Sequence, residues 1–156
     1  MERYQAKLVA ESLEAIMEFQ RGQNPSDVLK LGKKKELEAW LKQHIFKSAY
    51  RINSDWTVDL KRDFIIPKEN FIPELPEYVQ FNECFGDFLI RDQNLISMIG
   101  CPYVVHGDFM VDGNKLTDLK GSPTRVDGSY FIKRNSVKFT KEQIQKICEV
   151  GEMIIV

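Results

Sequence analysis

The chain is poor in the residues that usually carry covalent chemistry. It holds three cysteines, Cys84, Cys101 and Cys148, too few and too irregularly spaced for a disulfide framework. It holds two histidines, His44 and His106, the only side chains that ordinarily titrate near neutral pH. No stretch approaches the ~20 consecutive apolar residues that a membrane span requires. No excess of one charge is present either: 22 Lys and Arg stand against 23 Asp and Glu, so no overall attraction to nucleic acid or anionic lipid is built in. Glycine-rich phosphate loops, nucleophile elbows and metalloprotease motifs are missing. The scarcity of cysteine and the lack of an apolar leader at the N-terminus imply a reducing, cytoplasmic setting.

What the chain does hold is a repeat. The pattern apolar, any, apolar, any, any, polar, any, apolar begins at Phe64, Phe88, Phe109 and Tyr130. It reads as the L-x-L-x-x-N-x-L core of a leucine-rich repeat. The last two units align over a 21-residue step, pairing Pro102 with Pro123, Gly107 with Gly128 and Asn114 with Asn135. Units this short cannot bury their own apolar faces and must stack on one another. The expected fold class is therefore mixed α/β, with N-terminal helices and a short hairpin followed by a short parallel-strand solenoid and a C-terminal capping helix.

The flanking segments fit this scheme. Leu8, Val9, Leu13, Ile16 and Met17 recur at helical spacing, predicting a helix from about Arg3 to Gln20. Asn24-Pro25 opens a short helical turn that Gly32 should end, and a second helix then carries Leu37, Trp40, Leu41 and Ile45 on one side. Residues 50–58 read as strand, turn, strand. Thr140 and Gln143 form a capping box, and the helix they open should turn Ile144, Ile147 and Cys148 inward. The expected segments are residues 1–48 (helical), 49–139 (repeat sheet) and 140–156 (capping helix and tail). The apolar 153–156 would pack back on the body or add an edge strand.

Strand alternation sorts the repeat positions. Phe64, Phe88, Phe109 and Tyr130 face inward with Ile66, Ile90, Val111 and Ile132, and a second inward point falls at Phe71, Leu95, Leu116 and Val137. The amide position, Glu69, Gln93, Asn114 and Asn135, should satisfy backbone groups in the turns, best where Asn is kept. Gly86, Gly107 and Gly128 precede the strands, where a left-handed conformation or a close backbone approach calls for Gly. The outward column is apolar: Ile65, Leu89, Met110, Phe131. Asp63, Asp87, Asp108 and Ser129 lie on one flank, and Pro67, Arg91, Asp112 and Lys133 on the other. An apolar stripe rimmed by charge has the make-up of a protein-binding patch. N-terminal helices folded over it would instead make it core.

Catalytic and metal-binding sets are weak. His106 occupies a slot that varies within the chain (Phe85, His106, Asp127), which marks a surface position. Cys101 and His106 lack a second pair of zinc ligands. Asp87 and Asp108, one repeat apart, are candidates for a cation site or for receiving backbone N–H groups at the turns.

Three blocks together, residues 19–32, residues 52–59 and the repeats around 100–109, resemble small leucine-rich-repeat-like accessory proteins of large tailed bacteriophages. The resemblance implies an accessory protein that acts on host machinery or defence systems by binding. With the apolar stripe, the expectation is a non-catalytic module that inhibits or redirects a host protein, in which truncating a central hot-spot anchor would cost ~2 kcal/mol or more. The partner-binding residues expected are Leu89, Met110, Phe131, Asp87, Asp108, Arg91, Asp112 and Lys133, with no cofactor or metal. A small enzyme or ligand-binding protein with a cleft between helices and sheet is the alternative. A nucleic-acid-binding or virion-associated structural role ranks third, because the aspartate column repels phosphate.

Overall fold

A computed structural model describes residues 25–45, 47–67 and 70–156. The helix expected over residues 3–20 and the amide position at Glu69 lie outside the described residues. The chain divides into two compact units, Met1–Gln43 and His44–Val156. The C-terminal helix and tail belong to the second unit rather than forming a segment of their own.

In the first unit a single helix, α1 (Pro25–His44), replaces the two pieces read from the sequence. Pro25 is its first residue, where a missing N–H costs nothing. Gly32 does not break it. That position is exposed, and an interior Gly costs only about 1 kcal/mol. Leu37 and Leu41, one turn apart, are almost fully buried.

The second unit is a parallel β-solenoid. A 3-10 turn (Lys47–Ala49) leads into β1 (Tyr50–Ile52), which pairs antiparallel with β2 (Val58–Leu60) across the expected hairpin. From β2 onward the chain coils, and each of five successive coils gives one strand to each of two sheets. The first coil adds β3 (Phe64–Ile65), and the second supplies β4 (Phe81–Cys84) and β5 (Phe88–Leu89). The third supplies β6 (Val104–Val105) and β7 (Phe109–Met110), and the fourth β8 (Arg125–Val126) and β9 (Tyr130–Phe131). After α2 (Lys141–Gln145), a last coil adds β10 (Glu149–Val150) and β11 (Ile154–Ile155). Sheet A runs β1-β2-β4-β6-β8-β10 and sheet B runs β11-β9-β7-β5-β3. The repeat read from the sequence is sheet B. Sheet A escaped it because only one buried apolar position, Cys84, Val105 and Val126, recurs from β4 to β6 and β8, while Phe81 of β4 has no apolar counterpart one coil on.

The core is a stack. Phe64, Phe88, Phe109 and Tyr130 form a ladder of rings with centroids 4.9, 5.7 and 4.9 Å apart, and Phe81 from sheet A packs against the first two. Ile66, Ile90, Val111 and Ile132 are buried beside them as expected. The second inward point holds only in the middle coils, where Leu95 and Leu116 are buried. At the ends Phe71 is 60% and Val137 39% exposed, while Ile72 and Phe139 are buried in their place. Longer connections at both ends shift the inward residue by one or two positions. Likewise α2 has the capping box at Thr140 and buries Ile144, but it is short, and Ile147 is left 42% exposed.

Two small devices hold successive coils in register. Asn114 Oδ1 accepts from the backbone N–H of Gln93 and Leu95 at 3.0 Å each, while its Nδ2 donates to the carbonyls of Ile90 (2.6 Å) and Val111 (3.0 Å). Asn135 repeats part of this, accepting from Leu116 N–H and donating to Val111 and Ile132. The second device is the Gly-Asp corner. Asp63, Asp87 and Asp108 each accept, through Oδ1, the backbone N–H of the residue one coil on, at 2.9, 2.8 and 2.7 Å. The preceding Gly is required by closeness, not by dihedral angle: a Cβ on Gly107 would fall on Asp87 Oδ1, and one on Gly128 on Asp108 Oδ1. A left-handed residue recurs at the other end of the sheet B strands, at Asp92, Gly113 and Arg134, where the chain turns sharply.

Candidate binding surface

Because β5, β7, β9 and β11 pair in register, Leu89, Met110, Phe131 and Ile155 align as one outward column on sheet B, with Ile65 at its head. Ile65 is 58% exposed and the other four are half-buried, each shielded by its neighbours in the column. Ile155 extends the stripe by one coil beyond what the repeat pattern reached. The signal for it was present, since Val150 and Ile154 lie 24 residues after Val126 and Tyr130, but the α2 insertion broke the spacing.

The flanks differ from each other. On one side Asp87 and Asp108 are half-buried, with one carboxylate oxygen of each tied to the next coil, so they form a fixed acidic rail. Ser129, which takes their place in the fourth coil, is buried and donates to Glu152 at 3.1 Å. On the other side Arg91 and Lys133 are exposed. Asp112 is not available to a partner: it is 1% exposed, and its Oδ2 accepts from Arg91 (3.0 Å) and Arg134 (3.1 Å). Burial pushes the Asp112 carboxyl up, and the two guanidinium hydrogen bonds more than offset this, leaving it below its ordinary value. Its role is to fasten Arg91 and Arg134 in place. The basic flank of the stripe is therefore Arg91, Lys133 and Arg134.

Sheet A carries a second polar cluster that the repeat pattern did not assemble. His106 lies between Glu83 and Asp127, with Nε2 2.9 Å from Glu83 and Nδ1 2.8 Å from Asp127. Asp127 also accepts from Arg125 at 2.7 and 3.1 Å, and the imidazole stacks on Phe85 with centroids 4.8 Å apart. The hydrogen bond to Glu83, aided by Asp127, raises the His106 pKa against a smaller effect of desolvation. Both ring nitrogens are engaged, so this is a clasp across three coils. Phe85, His106 and Asp127 occupy one slot 21 residues apart, and their chemical complementarity was the signal to read. Nearby, Arg51, Asn53 and Asn82 all donate to the buried Asp59, beside an open hollow of about 630 Å³.

The three thiols are core groups. Burial pushes Cys84 up to about 11 and Cys148 up to about 12, and raises Cys101 further. Cys101 is 2% exposed, and no group of three or more His, Cys, Asp or Glu among the described residues is arranged to hold a metal ion. No helix among the described residues is long and apolar enough to cross a membrane. Compared with family models, curated proteins and solved structures, the chain matches none.

Proposed function

We propose that this chain is a non-catalytic binding module whose working surface is the outward face of sheet B, taking a protein partner. The observation that carries this reading is the continuous apolar column from Ile65 to Ile155, edged by fixed carboxylates on one side and by Arg91, Lys133 and Arg134 on the other. Such a surface supplies desolvated apolar contact at its centre and orienting charge at its rim. On the sequence resemblance, the partner is a host protein that a phage accessory protein inhibits or redirects in the cytoplasm. Leu89, Met110 and Phe131 act as the anchors, while Asp87, Asp108, Arg91 and Lys133 set orientation.

The test is affinity capture from host cells with the wild-type chain and the Met110→Ser/Phe131→Ser variant side by side. The wild type should retain a partner that the variant loses, with far-ultraviolet circular dichroism unchanged because both side chains face outward. Retention by both proteins alike would remove the stripe from the interface. Collapse of the variant's fold would mean that the column is core.

A further inference from the structure

The two ends of the solenoid are unlike. At the first coil sheet A begins at the edge strand β1, which runs antiparallel to β2, and sheet B begins at the edge strand β3. At the last coil both sheets end in parallel strands, β10 and β11, which pair with no further strand among the described residues. The hydrogen-bond alternation fixes which groups face away there. Tyr130 and Ile132 donate to the carbonyls of Met153 and Ile155, so the N–H groups of Ile154 and Val156 point away from β9. In sheet A, Glu149 and Gly151 donate back to Thr124 and Val126, which leaves the peptide groups of Val150 outermost. Around these edges Met153 is 59% and Ile147 42% exposed, and Val150, Ile155 and Val156 are half-buried. An open strand edge with an apolar collar is a template for another strand.

We infer that the last coil is a self-association surface, and that a second copy of this chain docks on it end to end about a two-fold axis. Such an axis lying across the solenoid reverses strand direction, so the edges β10 and β11 of the two copies meet antiparallel, each offering the N–H and C=O groups the other lacks. Charge agrees with this occupant. Lys141 and Glu152 line the same hollow of about 290 Å³ beside β11, and the two-fold carries Lys141 of each copy toward Glu152 of the other. A two-fold contact uses the same last coil on both copies, so pairing closes at two. The end face is small, so the dimer is reversible and concentration-dependent. It leaves the outward column from Ile65 to Phe131 free and is independent of what binds there.

Sedimentation velocity on the full chain across a wide concentration range tests this. The wild type should pass from monomer to dimer and no further. Val156→Pro, which removes an outward N–H while keeping the Ile132–Ile155 bond, should weaken the dimer at least tenfold. Met153→Glu, at an exposed position, should do the same without touching the backbone. Ile65→Glu, at the head of the stripe, should leave the dimer unchanged. A wild-type chain that stays monomeric throughout, one that forms higher oligomers, or a dimer that survives both end-face variants would each overturn the inference.

Discussion

Replacing Asn114 by Ala would remove a side chain that serves four backbone groups of two coils: the N–H of Gln93 and Leu95 and the carbonyls of Ile90 and Val111. Asn114 is only 5% exposed, so bulk water cannot replace these bonds without entering the stack. The Val111 carbonyl keeps its bond from Asn135, so three buried groups lose their side-chain partner, and at about 1–3 kcal/mol each this sets a floor of about 3 kcal/mol. That is a large share of the 5–15 kcal/mol by which domains of this kind are typically stable. Asn135 makes three such bonds but is half-buried, so solvent takes over part of its work, and Asn135→Ala should cost about 1–2 kcal/mol. Urea unfolding followed by circular dichroism gives both losses, provided the denaturant slope is unchanged. Asn114→Asp separates bonding from volume: it keeps the size and the acceptor but loses both donors, placing a carboxylate against the Ile90 and Val111 carbonyls. It should destabilise at least as much as Ala. Equal losses for the two Ala variants, or an Asn114→Asp protein close to wild type, would refute the reasoning.

The corners, the clasp and the core give further expectations. Gly107→Ala puts a Cβ onto Asp87 Oδ1 and 2.8 Å from the Gly86 carbonyl, and should cost about 2 kcal/mol, whereas Gly32→Ala, with nothing within 4 Å, should stabilise α1 by up to about 1 kcal/mol in thermal melts. Because the folded-state pKa of His106 is raised, its clasp stabilises the fold in full below the ordinary histidine value of about 6.5 and progressively less as pH rises through the folded value. The stability gap between wild type and His106→Gln should therefore narrow from mildly acidic to alkaline pH, and a constant gap would show that the imidazole is not protonated in the clasp. Cys84, Cys101 and Cys148 should resist a thiol reagent at mildly alkaline pH until denaturant is added, since all three are buried with raised pKa values.

The sheet B strands were legible because their side chains alternate between a fixed aromatic ladder and a variable outward column, with a Gly-Asp pair marking the start of β5 and β7. The hairpin at 50–58 and the Thr140 capping box were legible for the same reason, as local chemistry with a fixed geometry. Gly32 misled because a glycine ends a helix only when the next turn has nothing to bury, and here Leu37 and Leu41 carry the helix on into a core. Asp112 misled because its column partners Arg91 and Lys133 are exposed, while only packing reveals that a charged side chain has turned inward to meet two arginines. The edge strand at 153–156 was legible from its apolar run, but an insertion hid that it continues the repeat. The His106 clasp was hidden because its members come from three coils, in or just after strands of a sheet the repeat pattern did not include.

The Gly-Asp corner also makes this molecule adjustable in length. Each corner reads only its immediate neighbour: the aspartate of one coil meets the N–H of the next, and the glycine of the next leaves room for that aspartate. Nothing in this exchange refers to how many coils stand above or below. Excising one 21-residue unit, from Asp87 through Gly107, would join Gly86 to Asp108 and recreate the same corner one storey shorter. The second unit is thus a column assembled from interchangeable floors, whose reach along the stripe is set by copy number, while the special residues at its ends decide where building stops.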